Sequence, residues 1–177
     1  MLLPRSHAWT PLQKWIIASA VLFAVTGFGA VVYVYERDYR GPPKVPDREK
    51  QEEDIAEAVF RYQFLHNASG RQHKAAVYFL SLRDRNPRKE FMARFAGNTP
   101  RVSTVSECTE DDDIRDLDTD EPGILFRITD FKWITPTRVE VSGGYNEGRL
   151  SSSGDTYYVE KRDGDWVVVR DEMHWIS

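Results

Sequence analysis

Four histidines, one cysteine and a run of carboxylates are the residues of this chain whose types could do chemistry. His7, His66, His73 and His174 show no i, i+4 pair and no H-E-x-x-H, the spacing that sets two imidazoles on one helical face to hold zinc. His174, between Met173 and Trp175, is placed to line a pocket and exchange a proton near neutral pH; the plainer reading is an imidazole facing solvent near the terminus. Between Glu110 and Glu121 eight of twelve residues are carboxylates, and Asp116, Asp118 and Asp120 have the D-x-D-x-D spacing of a calcium loop. The pattern then fails, because its sixth position is Glu121 instead of glycine and its twelfth is Arg127 instead of glutamate. A solvated loop is the reading kept, with weak cation binding as the alternative.

Gly143-Gly144-Tyr145-Asn146-Glu147-Gly148 has the glycines of a phosphate loop but lacks the following Lys-Ser/Thr. Strand-like segments flank it, so no helix dipole faces an anion, and the glycines mark a bulge or strand end instead. Ser151-Ser152-Ser153-Gly154 reads as a loop tip, with no G-x-S-x-G elbow to activate a serine. Cys108 closes an alternating run, where a structural thiol is expected; a lone cysteine excludes an internal disulfide and leaves the compartment open. No cofactor signature is present.

The elements that must position these residues follow from periodicity. A helix enters near Asp47, carries acidic residues in its first turns and fades near Asn67-Ala68-Ser69-Gly70. Ile55, Val59 and Tyr62 share one face of it, with Ala56, Phe60 and Phe64 beside them. Lys74 to Leu82 reads as a strand. Asn86-Pro87 has the form of an N-cap and first turn, opening a second helix through Phe91, Met92 and Phe95 that stops at Gly97. Arg101 to Cys108 alternates as a short strand. Four further strands are expected at Ile124 to Ile134, Thr137 to Tyr145, Thr156 to Lys161 and Trp166 to about Ile176, the last two joined by an Asp163-Gly164 hairpin turn. Helices early and consecutive strands late predict an α+β domain of two helices packed on a mostly antiparallel, curved sheet.

Residues 15–35 carry no charge over twenty-one positions. As a helix the run is about 31 Å long, close to the bilayer hydrocarbon thickness, with Trp15, Tyr33 and Tyr35 where an aromatic belt lies. The sequence therefore predicts a tail at 1–14, a single transmembrane helix at 15–35, a Pro-rich spacer at 36–46 and a globular domain at 47–177. A short basic tail before a first apolar helix stays inside as a rule, which favours an inner-membrane protein with the domain outside the cytoplasm. Residues 47–177 hold nineteen basic and twenty-six acidic side chains, a balance of −7, which argues against nucleic-acid binding.

The carboxyl-terminal run GGYNEGRLSSSGDTYYVEKRDGDWVVVRDEMHWIS resembles the ending of uncharacterised bacterial membrane-anchored domains that share a glycine-tyrosine hairpin and a closing G-x-W-V-V strand. More loosely, a lead helix and a curved sheet are similar to cystatin-like and NTF2-like α+β proteins. That resemblance implies a fold type and no particular chemistry.

Two functional expectations result. The first is a non-catalytic, membrane-anchored domain that binds a protein partner, assembles a membrane complex or forms a homo-oligomer. The second is a small NTF2-like enzyme or ligand carrier with a pocket inside the sheet, lined by Tyr62, His66, Tyr145, Trp166 and His174. A core filled by Phe60, Phe64, Phe91 and Trp133 speaks against the second.

Overall fold

The computed structural model describes residues 43–66, 74–109, 113–149 and 151–177, all within one compact unit, Pro42–Ser177. Helix α1 spans Arg48–His66. It opens with the Gln51 amide bonding to the Asp47 carbonyl at 3.0 Å; the i, i+4 pair Arg61–Glu57 lies on its solvent side, while Arg48 pairs with the buried Glu52. Ile55, Ala56, Val59, Phe60, Gln63 and Phe64 recur at steps of one and three and form its buried face. Burying each large apolar member is worth about 1.5–3 kcal/mol, which is what holds so charged a helix in place.

Six strands make one sheet in the order β2-β1-β3-β4-β5-β6. They are β1 (Val77–Leu82), β2 (Arg101–Thr104), β3 (Gly123–Thr135), β4 (Arg138–Gly148), β5 (Ser151–Arg162) and β6 (Asp165–Ile176). β1 runs parallel to both its neighbours, and β3 to β6 form an antiparallel meander. The β5–β6 turn places Asp163 and Gly164 at φ 51° and 99°, the two left-handed positions that an Asp-Gly hairpin supplies.

The inner face of the sheet meets α1. Tyr78, Leu80, Ile124, Phe126, Ile128, Phe131, Trp133, Val139, Val141, Tyr145, Tyr157 and Val159 pack there with Phe60, Phe64, Phe91 and Phe95. On the outer face Val77, Phe79 and Leu125 are covered by Cys108 and Ile114 from the segment between β2 and β3. The outer face of β4 and β5 bears polar residues, as an uncovered antiparallel surface should.

Three expectations are corrected. The sheet is mixed and dominates the domain, because the long crossovers on either side of β2 return the chain in the same direction and so permit parallel pairing. The second helix is a single turn, α2 (Lys89–Met92), followed by a 3₁₀ turn at Ala93–Phe95. Asn86 does not cap it; its side chain instead brackets Ser106, donating to Oγ at 2.8 Å and accepting from the amide at 3.0 Å. Finally, among the described residues no helix is long and apolar enough to cross a membrane, α1 being charged along its length. The segment 15–35 that suggested a single-pass inner-membrane protein lies outside the described residues, and that assignment is not carried further.

Candidate functional site

The β3–β4–β5 sheet is irregular where the glycines fall. Register slips between Ile128 and Asp130 of β3, opposite Gly143, and again between Asn146 and Gly148. Gln63 of α1 reaches into this irregularity, with Nε2 lying 3.3 Å from the Gly144 carbonyl, 3.4 Å from that of Arg127 and 3.1 Å from the Tyr157 hydroxyl. Around it Ser153, Asp155 and Glu147 are also buried. Ser153 Oγ donates to Asp155 Oδ2 at 2.5 Å, while Asp155 Oδ1 and Gln63 Oε1 have no hydrogen-bond partner among the described residues. Burial pushes the Asp155 carboxyl up, against the hydrogen bond from Ser153, and burial likewise pushes the Tyr157 phenol far above its usual range.

Behind this cluster the outer face carries a groove of about 510 Å³. Its floor is Gly143, Gly144 and Gly154, and its walls include Arg127, Thr129, Ser142, His174 and Trp175. A side chain at Gly154 would overlap the Trp175 indole, so the missing Cβ is what lets that ring lie against the strand. The His174 ring is fixed by a 2.8 Å hydrogen bond between Nε2 and Thr156 Oγ1.

Of the five residues expected to line one pocket, Tyr145 and His174 both line this groove, Tyr62 and His66 stand together elsewhere, and Trp166 stands apart. Tyr62 and His66 stack at 4.1 Å near the end of α1, and Tyr62 donates to Asp171 Oδ1 at 2.9 Å. Burial and the Asp171 carboxylate both raise the Tyr62 phenol above its ordinary value. Tyr145 is buried on the inner face, its phenol raised by burial and by Glu147. Trp166 lies at the far end of β6, edge-on to Trp133 at 5.6 Å, with a buried Nε1 that has no partner among the described residues. His174 is on the outer face, across the sheet from Tyr62. The interior that was to hold the pocket is occupied by Phe60, Phe64, Phe91 and Trp133, all buried.

From Asp113 to Glu121 the acidic loop is held by arginines. Asp116 accepts the Thr119 and Asp118 amides and the Arg101 guanidinium, at 2.9, 3.0 and 2.6 Å, which holds its carboxyl down at about 2. Asp120 pairs with Arg115 at 2.7 Å, a bond that lowers its carboxyl. Among the described residues no cluster of three His, Cys, Asp or Glu side chains is arranged to hold a metal.

Sequence reasoning missed the edge. Val167, Val169, Met173, Trp175 and Ile176 of β6 are exposed, whereas the other exposed large apolar residues among those described, Leu65, Leu117 and Ile134, are scattered. The signal was present in Val167-Val168-Val169, three consecutive valines that put apolar side chains on both faces of a strand with only one covered. No family model, curated protein or solved structure matches this chain, so these features are read from the molecule alone.

Proposed function

We propose that the domain is a non-catalytic binding module that engages a protein partner through edge strand β6. The observation that supports this most directly is the concentration of exposed apolar side chains on that strand: Val167, Val169, Met173, Trp175 and Ile176. A solvent-exposed edge of twelve residues also offers a row of backbone donors and acceptors to an added strand, with the alternate side chains setting specificity. The interior filled by Phe60, Phe64, Phe91 and Trp133 favours this over a ligand carrier with an internal cavity.

Site-specific photocrosslinking in cells tests it. A photoreactive residue replacing Val169 should trap a protein, and one replacing Lys132 on the outer face of β3 should not. Equal labelling from both positions, or none from Val169, would overturn the reading.

A further inference from the structure

Strand β6 reads Trp166-Val-Val-Val-Arg170-Asp171-Glu172-Met-His-Trp175-Ile176, a pattern close to its own mirror image about Asp171. Four apolar residues precede a charged centre of Arg, Asp and Glu, and a mainly apolar run follows it. We infer that the partner of this edge is a second copy of the chain, with the two β6 strands paired antiparallel about a two-fold axis at Asp171. This rests on the reading of β6 as a binding edge and deepens it by naming the occupant.

The charges choose the register. With Asp171 on the axis, Arg170 of each copy lies directly opposite Glu172 of the other, giving two cross-strand ion pairs. Val169 then faces Met173, and Val167 faces Trp175, so the exposed apolar residues cover one another. Moving the axis one residue either way sets Arg170 against Arg170 or Glu172 against Glu172, and it opposes charged residues to valine or methionine. Both partners of the ion pair already stand on the outer face. Arg170 lies over the Tyr158 ring at 3.8 Å and 3.5 Å from Glu172 of its own strand, and Tyr158 donates to Glu172 Oε2 at 3.0 Å. Each charge is therefore oriented before the second copy arrives, which reduces the entropy lost on pairing. The two Asp171 side chains meet at the axis, a like-charge cost, but each already accepts a hydrogen bond from Tyr62 on the inner face. The register of β6 on β5 is broken near Val169 and near His174, and Arg170 to Met173 between those breaks is the regular stretch on which the axis falls.

Sedimentation of the purified full chain provides the test. The protein should dimerise, and Arg170→Glu or Glu172→Arg alone should each weaken the dimer about tenfold, since two pairs change from attraction to repulsion. An equimolar mixture of the two variants should regain it, because each then supplies the charge the other needs. As a check independent of the swaps, Asp171→Cys in a Cys108→Ser background should form an interchain disulfide under mild oxidation, the axial residue being opposite its own copy. Lys132→Cys in the same background should not. A protein that stays monomeric overturns the proposal, as does a dimer indifferent to both swaps or lacking the axial crosslink. Trapping of a different protein from Val169 in cells, with a monomer in solution, would sink the homodimer and leave the binding-edge reading standing.

Discussion

The Gln63 side chain donates from Nε2 to the Tyr157 hydroxyl at 3.1 Å, in the centre of the domain where both residues are fully buried. The same nitrogen lies 3.3 Å from the Gly144 carbonyl, beside the slip in β3–β4 pairing, and so supplies hydrogen bonding where the strands are irregular. Replacing Gln63 with leucine strips those acceptors of their donor but also removes the partnerless Oε1. The expected loss is about 1–3 kcal/mol in urea unfolding, larger than that of Tyr157→Phe. A Gln63→Leu protein as stable as the wild type would mean that the amide is not what satisfies the bulge.

Asp116 should govern part of the acid limb of stability. Its folded value, about 2, lies below the 3.8 expected of the free side chain, so its contribution is complete above pH 3.8 and disappears as the pH falls toward 2. Asp116→Asn should therefore lower the melting temperature at neutral pH and flatten its dependence between those limits. Melting curves followed by circular dichroism from pH 2 to 7 would show it; parallel curves for the two proteins contradict the assignment.

Two glycines of the groove floor should respond differently to alanine. At Gly144 the new methyl group overlaps the Ser153 carbonyl oxygen, part of a neighbouring strand that cannot yield cheaply. At Gly154 the nearest atoms it meets belong to the Trp175 indole, which is 55 % exposed and can swing outward. Gly144→Ala is expected to cost about 1–3 kcal/mol. Gly154→Ala should leave stability nearly unchanged while shifting tryptophan fluorescence to longer wavelength. Equal losses at the two positions would refute the distinction.

Glu52 joins three parts of the domain. It is buried and accepts hydrogen bonds from Arg48 at 2.8 Å, Trp133 at 2.9 Å and Arg83 at 2.6 Å. Burial opposes its ionisation, yet those bonds prevail and hold the carboxyl below its ordinary value. Glu52→Leu leaves Trp133 Nε1 without an acceptor and should cost about 2–3 kcal/mol, whereas Glu52→Gln, which keeps an oxygen there, should cost about half as much. Equilibrium unfolding of both variants decides this, and a leucine variant no worse than the glutamine one would show the bond to be incidental.

Much of the architecture was legible because it depends on neighbours in sequence. The apolar stripe of Ile55, Val59, Phe60 and Phe64 fixed α1, and Asp163-Gly164 fixed the last hairpin. Ser151 to Gly154 illustrate the failure: a serine-rich stretch has the composition of a loop, yet it is the start of β5, paired with Gly148 and Asn146 on one side and with Ile176 on the other. Propensity yields there to the ladder on both flanks. The Asn86-Pro87 signal likewise named a cap that Ser106, twenty residues away, took for another purpose.

By itself the sequence determined which segments are apolar on one side, that Asp163-Gly164 turns the last hairpin and that the calcium-loop pattern begun at Asp116 breaks at Glu121 and Arg127. Those properties are set by side-chain chemistry within a few residues. Only the tertiary structure decided that β1 lies parallel between β2 and β3, that His174 and Tyr62 fall on opposite faces, and that β6 is the edge left uncovered. Such relations rest on strand order and on a single-residue slip in register, and each is paid for by contacts between residues far apart in the chain, which local periodicity does not record.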